Sequence, residues 1–526
     1  MRITSIILFL AGVLVTKEAC GQRIKLEHAD ILKGGQIDGV RITRPTGNVI
    51  FQQNQTRIFC DSAILRKSDN TVEAFGKIKI LEGDSITITA GKLFYDGNTR
   101  IAKLRNHVVL TKLNTLRVIT DFLDYYRNKN LAIYYNGGRV IDTTNILISK
   151  KGYLNTLNSV AAFKKDVVGE NQDFTFKSDT LQYNTKTKVV NFLAPATVTD
   201  KDGKVANYKQ GFYNTITKLS VLNDGVLESK SNRMKGDHYK IDDLNQFYQA
   251  TGNVVITSKT DNLVIFGDQA DYFKKKGITK VFGHAYLIRF DESADTLFLG
   301  ADTLVSVEGQ DGRSKHLLAY YHVKVYNKEM QAVADSLSYL SIDSTMTFYR
   351  NPVLWNIDNQ MTADTIKMEI RKKNIDRIFL TSNSFVAGED ELKNFNQIKG
   401  RKMTAYLKNK RIHHVDVEGN GESLYYALEE KKLKIDTVKA RLILLTGVNK
   451  IICSNMKINF LEGKVDNISF FVQPDARFIP PQELKKDEAY LSGFSWRNSE
   501  RPDQNAVTGK VVPAQKPDLT KEPRQP

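Results

Sequence analysis

Gly76-Lys77-Ile78-Lys79-Ile80-Leu81-Glu82-Gly83-Asp84-Ser85-Ile86-Thr87-Ile88-Thr89-Ala90-Gly91-Lys92-Leu93-Phe94-Tyr95 lays out two extended segments on either side of a turn. Ile78 and Ile80 alternate with lysine, and Ile86 and Ile88 alternate with threonine. Apolar residues at every second position, many of them β-branched, mark a strand with one buried face. Leu116-Arg117-Val118-Ile119-Thr120 and Phe174-Thr175-Phe176 carry the same alternation. No amphipathic helical pattern of twelve or more residues occurs before residue 395.

The segment recurs. Asp-x-Leu-x-Tyr stands at Asp121, Asp179 and Asp335, with relaxed versions at Asp61, Gly91, Lys151, Lys209, Asp237, Asp268, Asp302 and Asp364. Successive steps from Asp61 are 30, 30, 30, 28, 30, 28, 31, 34, 33 and 29 residues. Tyrosine follows four residues later at Tyr95, Tyr125, Tyr183, Tyr213, Tyr272 and Tyr339. A second punctuation runs half a period out of phase, at Gly47-Asn48, Gly76-Lys77, Asn106-His107, Gly137-Gly138, Gly252-Asn253 and Gly283-His284. Glycine and asparagine tolerate the left-handed conformations of turns and bulges, so each pair should open an extended segment. One period thus holds two strand layers and two corners. Such strands bury their apolar face only by stacking on neighbours. The expectation is an all-β, open-ended, elongated β-jellyroll or solenoid-like stack without major helices, in place of several globular domains.

Composition sets the outer limits. The 526 residues are 41% hydrophobic and 26% charged, which excludes a multi-span membrane protein and a wholly disordered chain. Net charge is +17, which favours anionic partners. Arg2 followed by the apolar run Ile6–Val15 has the form of a cleavable signal peptide, too short to span a bilayer, ending near Cys20. Export makes nucleic acid an improbable partner. Lipidation at Cys20 is the less favoured reading, because Lys17 and Glu18 spoil a lipobox. Cleavage leaves Cys60 and Cys453. At about 15 residues and ~4.8 Å per layer, a linear stack holds them on the order of 120 Å apart, as two free thiols.

Enzyme signals are weak. No phosphate loop, zincin motif or nucleophile elbow occurs. His413 and His414 are adjacent, and adjacent strand residues point to opposite faces, so no metal or other cofactor is expected there. Asp242/Asp243 and Asp268/Asp271 resemble the acids of a glycan-active β-helix, but acids recurring once per period suit corners better than a single catalytic centre. A glycan-binding or glycan-active β-helix, or a structural β-repeat scaffold, is the alternative function.

Several stretches resemble the OstA-like family of exported Gram-negative proteins. They are Gly47-Asn48-Val49-Ile50-Phe51, Phe59-Cys60-Asp61-Ser62-Ala63, Glu73-Ala74-Phe75-Gly76-Lys77-Ile78, Leu93-x-Tyr95-Asp96-Gly97, Tyr134-Tyr135-Asn136-Gly137-Gly138 and Asp179-Thr180-Leu181-Gln182-Tyr183. Val417-Glu418-Gly419-Asn420-Gly421-Glu422-Ser423-Leu424-Tyr425-Tyr426 resembles the end of the long, Bacteroidetes-type version. The resemblance covers roughly residues 25 to 480. It implies non-enzymatic lipopolysaccharide transport in the periplasm, beside the outer membrane, as in LptA and the N-terminal part of LptD. The implied partners are lipid A, the inner-membrane exporter complex, the outer-membrane translocon and end-to-end copies of the chain, met by β-augmentation through edge strands. Residues 24–60 are the docking candidate.

The expected organisation is a signal peptide (1–21), an N-terminal jellyroll region (22–180), continuing repeats (181–395), a C-terminal β segment and cap (396–484) and a flexible tail (485–526). Residues 457–470 look like a hairpin. Lys77, Lys79 and Arg117 should face outward. Candidate groove-lining residues are Ile78, Ile80, Ile86, Ile88, Val108, Leu110, Leu116, Val118, Phe174, Phe176, Val254 and Ile256. A groove open along one side would bury acyl chains only partly and so release them; the same alternation would equally build a dry core.

Overall fold

The computed structural model describes residues 23–509 except 114–115, 143–144, 291–295, 310–314, 372–373, 436–437 and 462–463. The expected signal peptide and Cys20 lie outside the described residues. The chain divides into two compact units, Met1–Lys201 and Asp202–Pro526. Both are all-β; the described helices are three 3-10 turns and a five-residue α-helix. The division falls inside the region expected to be one run of repeats.

The first unit contains β1 (Lys25–His28), β2 (Ile31–Ile37), β3 (Val40–Gln53), β4 (Thr56–Arg66), β5 (Thr71–Glu82), β6 (Ile86–Asp96), β7 (Ile101–Lys112), β8 (Leu116–Tyr126), β9 (Leu131–Asp142), β10 (Asn145–Asn155), β11 (Val160–Glu170), β12 (Phe174–Asn184), β13 (Val189–Phe192) and β14 (Ala196–Asp200). From β3 to β12 each strand pairs antiparallel with the next. β1 and β2 both pair with β3, and β13 and β14 both pair with β12.

Each long strand bends at its middle. Between β5 and β6 the register slips from Phe75↔Lys92 to Ile78↔Ala90, so Gly76 and Lys77 stand opposite Gly91 alone. That is a β-bulge, and Gly76 and Lys77 both have positive φ, 74° and 36°. Gly47-Asn48, Asn106-His107, Asn136-Gly137 and Lys165-Asp166 make the same left-handed pair in β3, β7, β9 and β11. These pairs therefore sit within strands and bend them; they do not open new segments. The Asp anchors occupy the same corners on the neighbouring strands. The Asp121 carboxylate accepts the His107 backbone N–H at 3.0 Å, and in the second unit Asp237 accepts Asn253 Nδ2 at 2.8 Å. The two punctuations, half a period apart in sequence, are the two sides of one corner. The pairs Asp268–His284 and Asp302–His322, each at 2.8 Å, follow the same plan.

The bends divide the first unit into two facing sheets. One buries the row Leu65, Val72, Tyr95, Ala102, Tyr125, Ala132, Leu154, Ala161, Tyr183 and Val190, each directly paired with the next. The recurring tyrosine lies beside alanine, so large and small side chains alternate and the row fills without overlap. The facing sheet buries Phe51, Ile58, Ile80, Ile88, Leu110, Val118, Val140, Leu147, Gly169 and Phe176. Tyr134 crosses from one sheet to the other, its hydroxyl 2.6 Å from Ser149 Oγ. A Cβ on Gly138 or Gly152 would lie within 2.5 Å of the Tyr134 ring, so glycine at both positions admits it. Lys77, Lys79 and Arg117 are exposed.

The second unit repeats the plan. Leu222, Tyr239, Ala250, Ala270, Val281, Leu304, Ala319 and Leu337 form a buried cross-strand row. The expected hairpin near residue 460 is present, with Met456↔Phe470 and Ile458↔Ile468 paired. Residues 485–509 depart from the expected flexible tail. Leu491 is 3% exposed and packs with Phe385, Leu424, Tyr426, Val448 and Ile479, while Val507 packs with Tyr286, Ile288 and Phe298. Three buried glutamines hold this strap by its backbone or side chains. Gln397 takes the Leu491 N–H at 2.8 Å, Gln360 takes that of Arg497 at 2.7 Å, and Gln331 accepts from Arg501 Nε at 2.6 Å. A few apolar residues and matched buried amides therefore order a segment whose composition is that of a tail.

Candidate functional site

Ten of the twelve residues read as groove lining are buried: Ile78, Ile80, Ile86, Ile88, Val108, Leu110, Leu116, Val118, Phe176 and Val254. Phe174 and Ile256 are half-buried. Ile80, Ile88, Leu110 and Val118 stand directly opposite one another on β5–β8. Ile78 and Val108 lie nearer the corner, and Ile86 and Leu116 nearer the strand ends. Phe176 closes the same row on β12, beyond Gly169. Val254 and Ile256 belong to the second unit, where Ile256 pairs with Met234 and Ile265.

The interior of the first unit is packed, and its mouth is bridged. Corner-distal on the inner face runs the row Gln53, Thr56, Glu82, Ile86, Lys112, Leu116 and Asp142. Thr56 donates to Glu82 on the neighbouring strand, and the other polar members reach turns of the facing sheet. Gln53 donates to the Gly97 carbonyl at 2.9 Å and accepts from the Tyr95 hydroxyl. Arg127 Nε donates to Glu82 at 2.7 Å. Lys112 Nζ donates to Ser159 Oγ at 3.3 Å. Asp142 accepts from Lys188 Nζ at 2.6 Å and from the Tyr183 hydroxyl. Burial, foremost, raises the Tyr95 phenol, with Arg127 opposing; burial and then the Asp142 carboxylate raise Tyr183. Desolvation lowers the Lys112 ammonium. Beside the Lys112–Ser159 bridge, a cavity of about 10 Å³ is lined by Leu110, Leu116, Leu154 and Val160 among others, room for about one water. The groove expected to be open along one side is closed in this unit, because polar side chains at inward positions span the gap.

These bridging residues were not among the sequence candidates. The signal was available: Gln53, Glu82, Lys112 and Asp142 recur at 29, 30 and 30 residues, in phase with the inward isoleucines. The Leu and Tyr of the recurring motif, such as Leu123 and Tyr125, were read as markers and prove to be lining.

The histidine pair differs from its expected geometry. The register slips between Tyr406↔His414 and Leu407↔Ile412, leaving His413 bulged out of the ladder. The two rings then meet, Nδ1 to Nδ1 at 2.9 Å, and do not point apart. Burial, with Lys457 adding to it, lowers the His414 imidazole, which stacks on Tyr406. Among the described residues no group of three or more His, Cys, Asp or Glu side chains is placed to hold a metal ion. Cys60 and Cys453 are both free and buried. No described helix is long and apolar enough to cross a membrane.

Stacked bent strands with a shared apolar interior define a repetitive β-jellyroll. Residues 21–179 match the family model of the OstA-like protein, and residues 233–374 match that of the LptA/(LptD N-terminal domain) LPS transport protein. These two stretches are OstA-like and LptA-like in sequence, one in each compact unit. No curated protein matches it. Among solved structures it is similar to LptH from Pseudomonas aeruginosa, the LptA-homologous periplasmic component of a lipopolysaccharide transport device. Identity is 12%, over 28% of this chain and 80% of that one, with a TM-score of 0.16, a likeness too slight to carry an inference.

Proposed function

We propose that this chain is a non-enzymatic periplasmic protein that carries lipopolysaccharide toward the outer membrane. The acyl chains lodge between the two sheets, against the row from Ile58 to Phe176. The observation that carries this reading is the row itself: eight apolar side chains, with Gly169 making room for the Phe176 ring, follow one another without a polar interruption across nine paired strands of the first unit. A chemical centre needs its groups once; a conduit needs the same surface at every layer. The match of residues 233–374 to the LPS transport protein model supports the assignment to transport. Fully burying a long acyl chain contributes about 0.8 kcal/mol per methylene, so transfer requires contact that is partial or short-lived.

Partners are the exporter complex on the inner-membrane side and the translocon on the outer-membrane side. β2 suits such docking by β-augmentation: it pairs on one side with β3, and Ile31 and Leu32 are exposed. The test is lipid mass spectrometry on the full chain isolated gently from the periplasm of its own host. Near-stoichiometric multiply acylated lipid A is the expected result. A folded protein with no lipid, or with phospholipid in membrane proportions, would overturn the reading.

A further inference from the structure

The four bridges across the mouth of the first unit are periodic. Gln53–Gly97, Glu82–Arg127, Lys112–Ser159 and Asp142–Lys188 span 44, 45, 47 and 46 residues. One bridge occurs per repeat, and each joins an inward position at the end of one sheet to a turn of the other. A core closed only for stability would continue its apolar side chains to the rim, as the middle row does. Here every second position at the rim is a polar bridging residue, and Thr56, Ile86 and Leu116 lie between them.

We propose that this row of latches is a side gate, through which acyl chains reach the interior when the two sheets part. The inference rests on the lipid-carrying reading above. The interior is filled when the gate is shut: Ile80, Ile88, Leu110 and Val118 are each at most 2% exposed, and the adjoining cavity holds about one water. A chain can therefore enter only if the sheets separate. Polar rims make that separation reversible. Water takes the place of each bridge when it opens, whereas an apolar rim would have nothing to exchange with. The corners, fixed by paired bulges and their Asp caps, serve as the hinge line. Opening one repeat also strains the next, because each strand is shared by two bridges' worth of ladder; parting should spread along the row.

The test uses the full chain with Glu82→Cys and Arg127→Cys, joined after folding by a short bismaleimide. Cys60 and Cys453 stay silent, since both are buried and burial pushes both thiols up, that of Cys60 to about 12. A second pair, Lys112→Cys and Ser159→Cys, repeats the measurement at the next latch if the first fails to fold. The probe is lipid A bearing one pyrene-labelled acyl chain, presented in detergent micelles. Pyrene emission reports entry, and circular dichroism confirms the fold. Joining the latch should slow uptake at least tenfold relative to the same variant unjoined. Asp142→Asn, which weakens a latch without locking it, should speed uptake. Equal uptake by joined and unjoined protein would overturn the gate and leave lipid binding intact. No uptake by the wild-type chain would overturn the lipid reading and the gate together.

Discussion

Gly169→Ala tests the register on which the interior depends. A Cβ at Gly169 would lie 1.9 Å from Phe176 Cζ and 2.2 Å from its Cε1. The Phe176 ring cannot simply withdraw: Phe192 packs edge-on at 5.2 Å and Phe174 lies at 6.4 Å. Two effects oppose each other. Gly169 is absent from the left-handed positions, so alanine fits its backbone and, by restricting the unfolded chain, stabilises by about 0.4–1 kcal/mol. Overpacking a filled core costs about 1–3 kcal/mol. The clash wins, and the net loss should be about 1–2 kcal/mol. Because the two units need not unfold together, the assay is native-state hydrogen exchange in β11 and β12, supported by urea titration followed by circular dichroism. Val168→Ala, next door on the outer face, should change stability by less than about 0.5 kcal/mol. The double variant Gly169→Ala/Phe176→Leu should recover most of the loss, since the smaller side chain removes the partner in the clash. A neutral or stabilised Gly169→Ala, with wild-type protection in β11–β12, would refute the register, because a one-residue slip turns position 169 outward.

Leu491→Ala should destabilise the second unit by about 2–5 kcal/mol and loosen protection in the strap, as expected for a leucine buried in a shared cluster; exchange no faster than wild type would remove the strap from the core. Cys60 should resist a maleimide in the folded protein near neutral pH and react once unfolded, because its thiol is pushed up to about 12 from 9.0. The linked stability is fully present below pH 9 and is lost as pH rises toward 12, since the unfolded thiol ionises first; Cys60→Ala should flatten that part of the alkaline transition, and an unchanged slope would count against the burial.

The amino-acid sequence determined what is local and periodic. Alternation at Ile78, Ile80, Ile86 and Ile88 fixed strands and their inner face, because a strand's side chains change sides at every residue. The spacing of Asp121 and its counterparts fixed the repeat, and Gly76-Lys77 and Asn106-His107 marked where the chain would bend, because few residues accept a positive φ. In sequence such pairs look like strand openings, because a bulge and a turn use the same residues and only the ladder on both sides distinguishes them. His413 shows the same limit, since one bulged residue brought together two rings that a regular strand would separate.

Tertiary structure decided what depends on separate segments meeting. Glu82 and Arg127 are 45 residues apart, and only the facing of two sheets makes them partners. Leu491 looks like a tail residue until Gln397, 94 residues earlier, accepts its N–H. Whether the apolar face of β5–β8 is an open groove or a closed interior was likewise undecided by pattern, because alternation specifies which side is buried but not what covers it. Periodicity is a property of the chain; closure is a property of the distance between surfaces, and that distance is set by every corner along the stack at once.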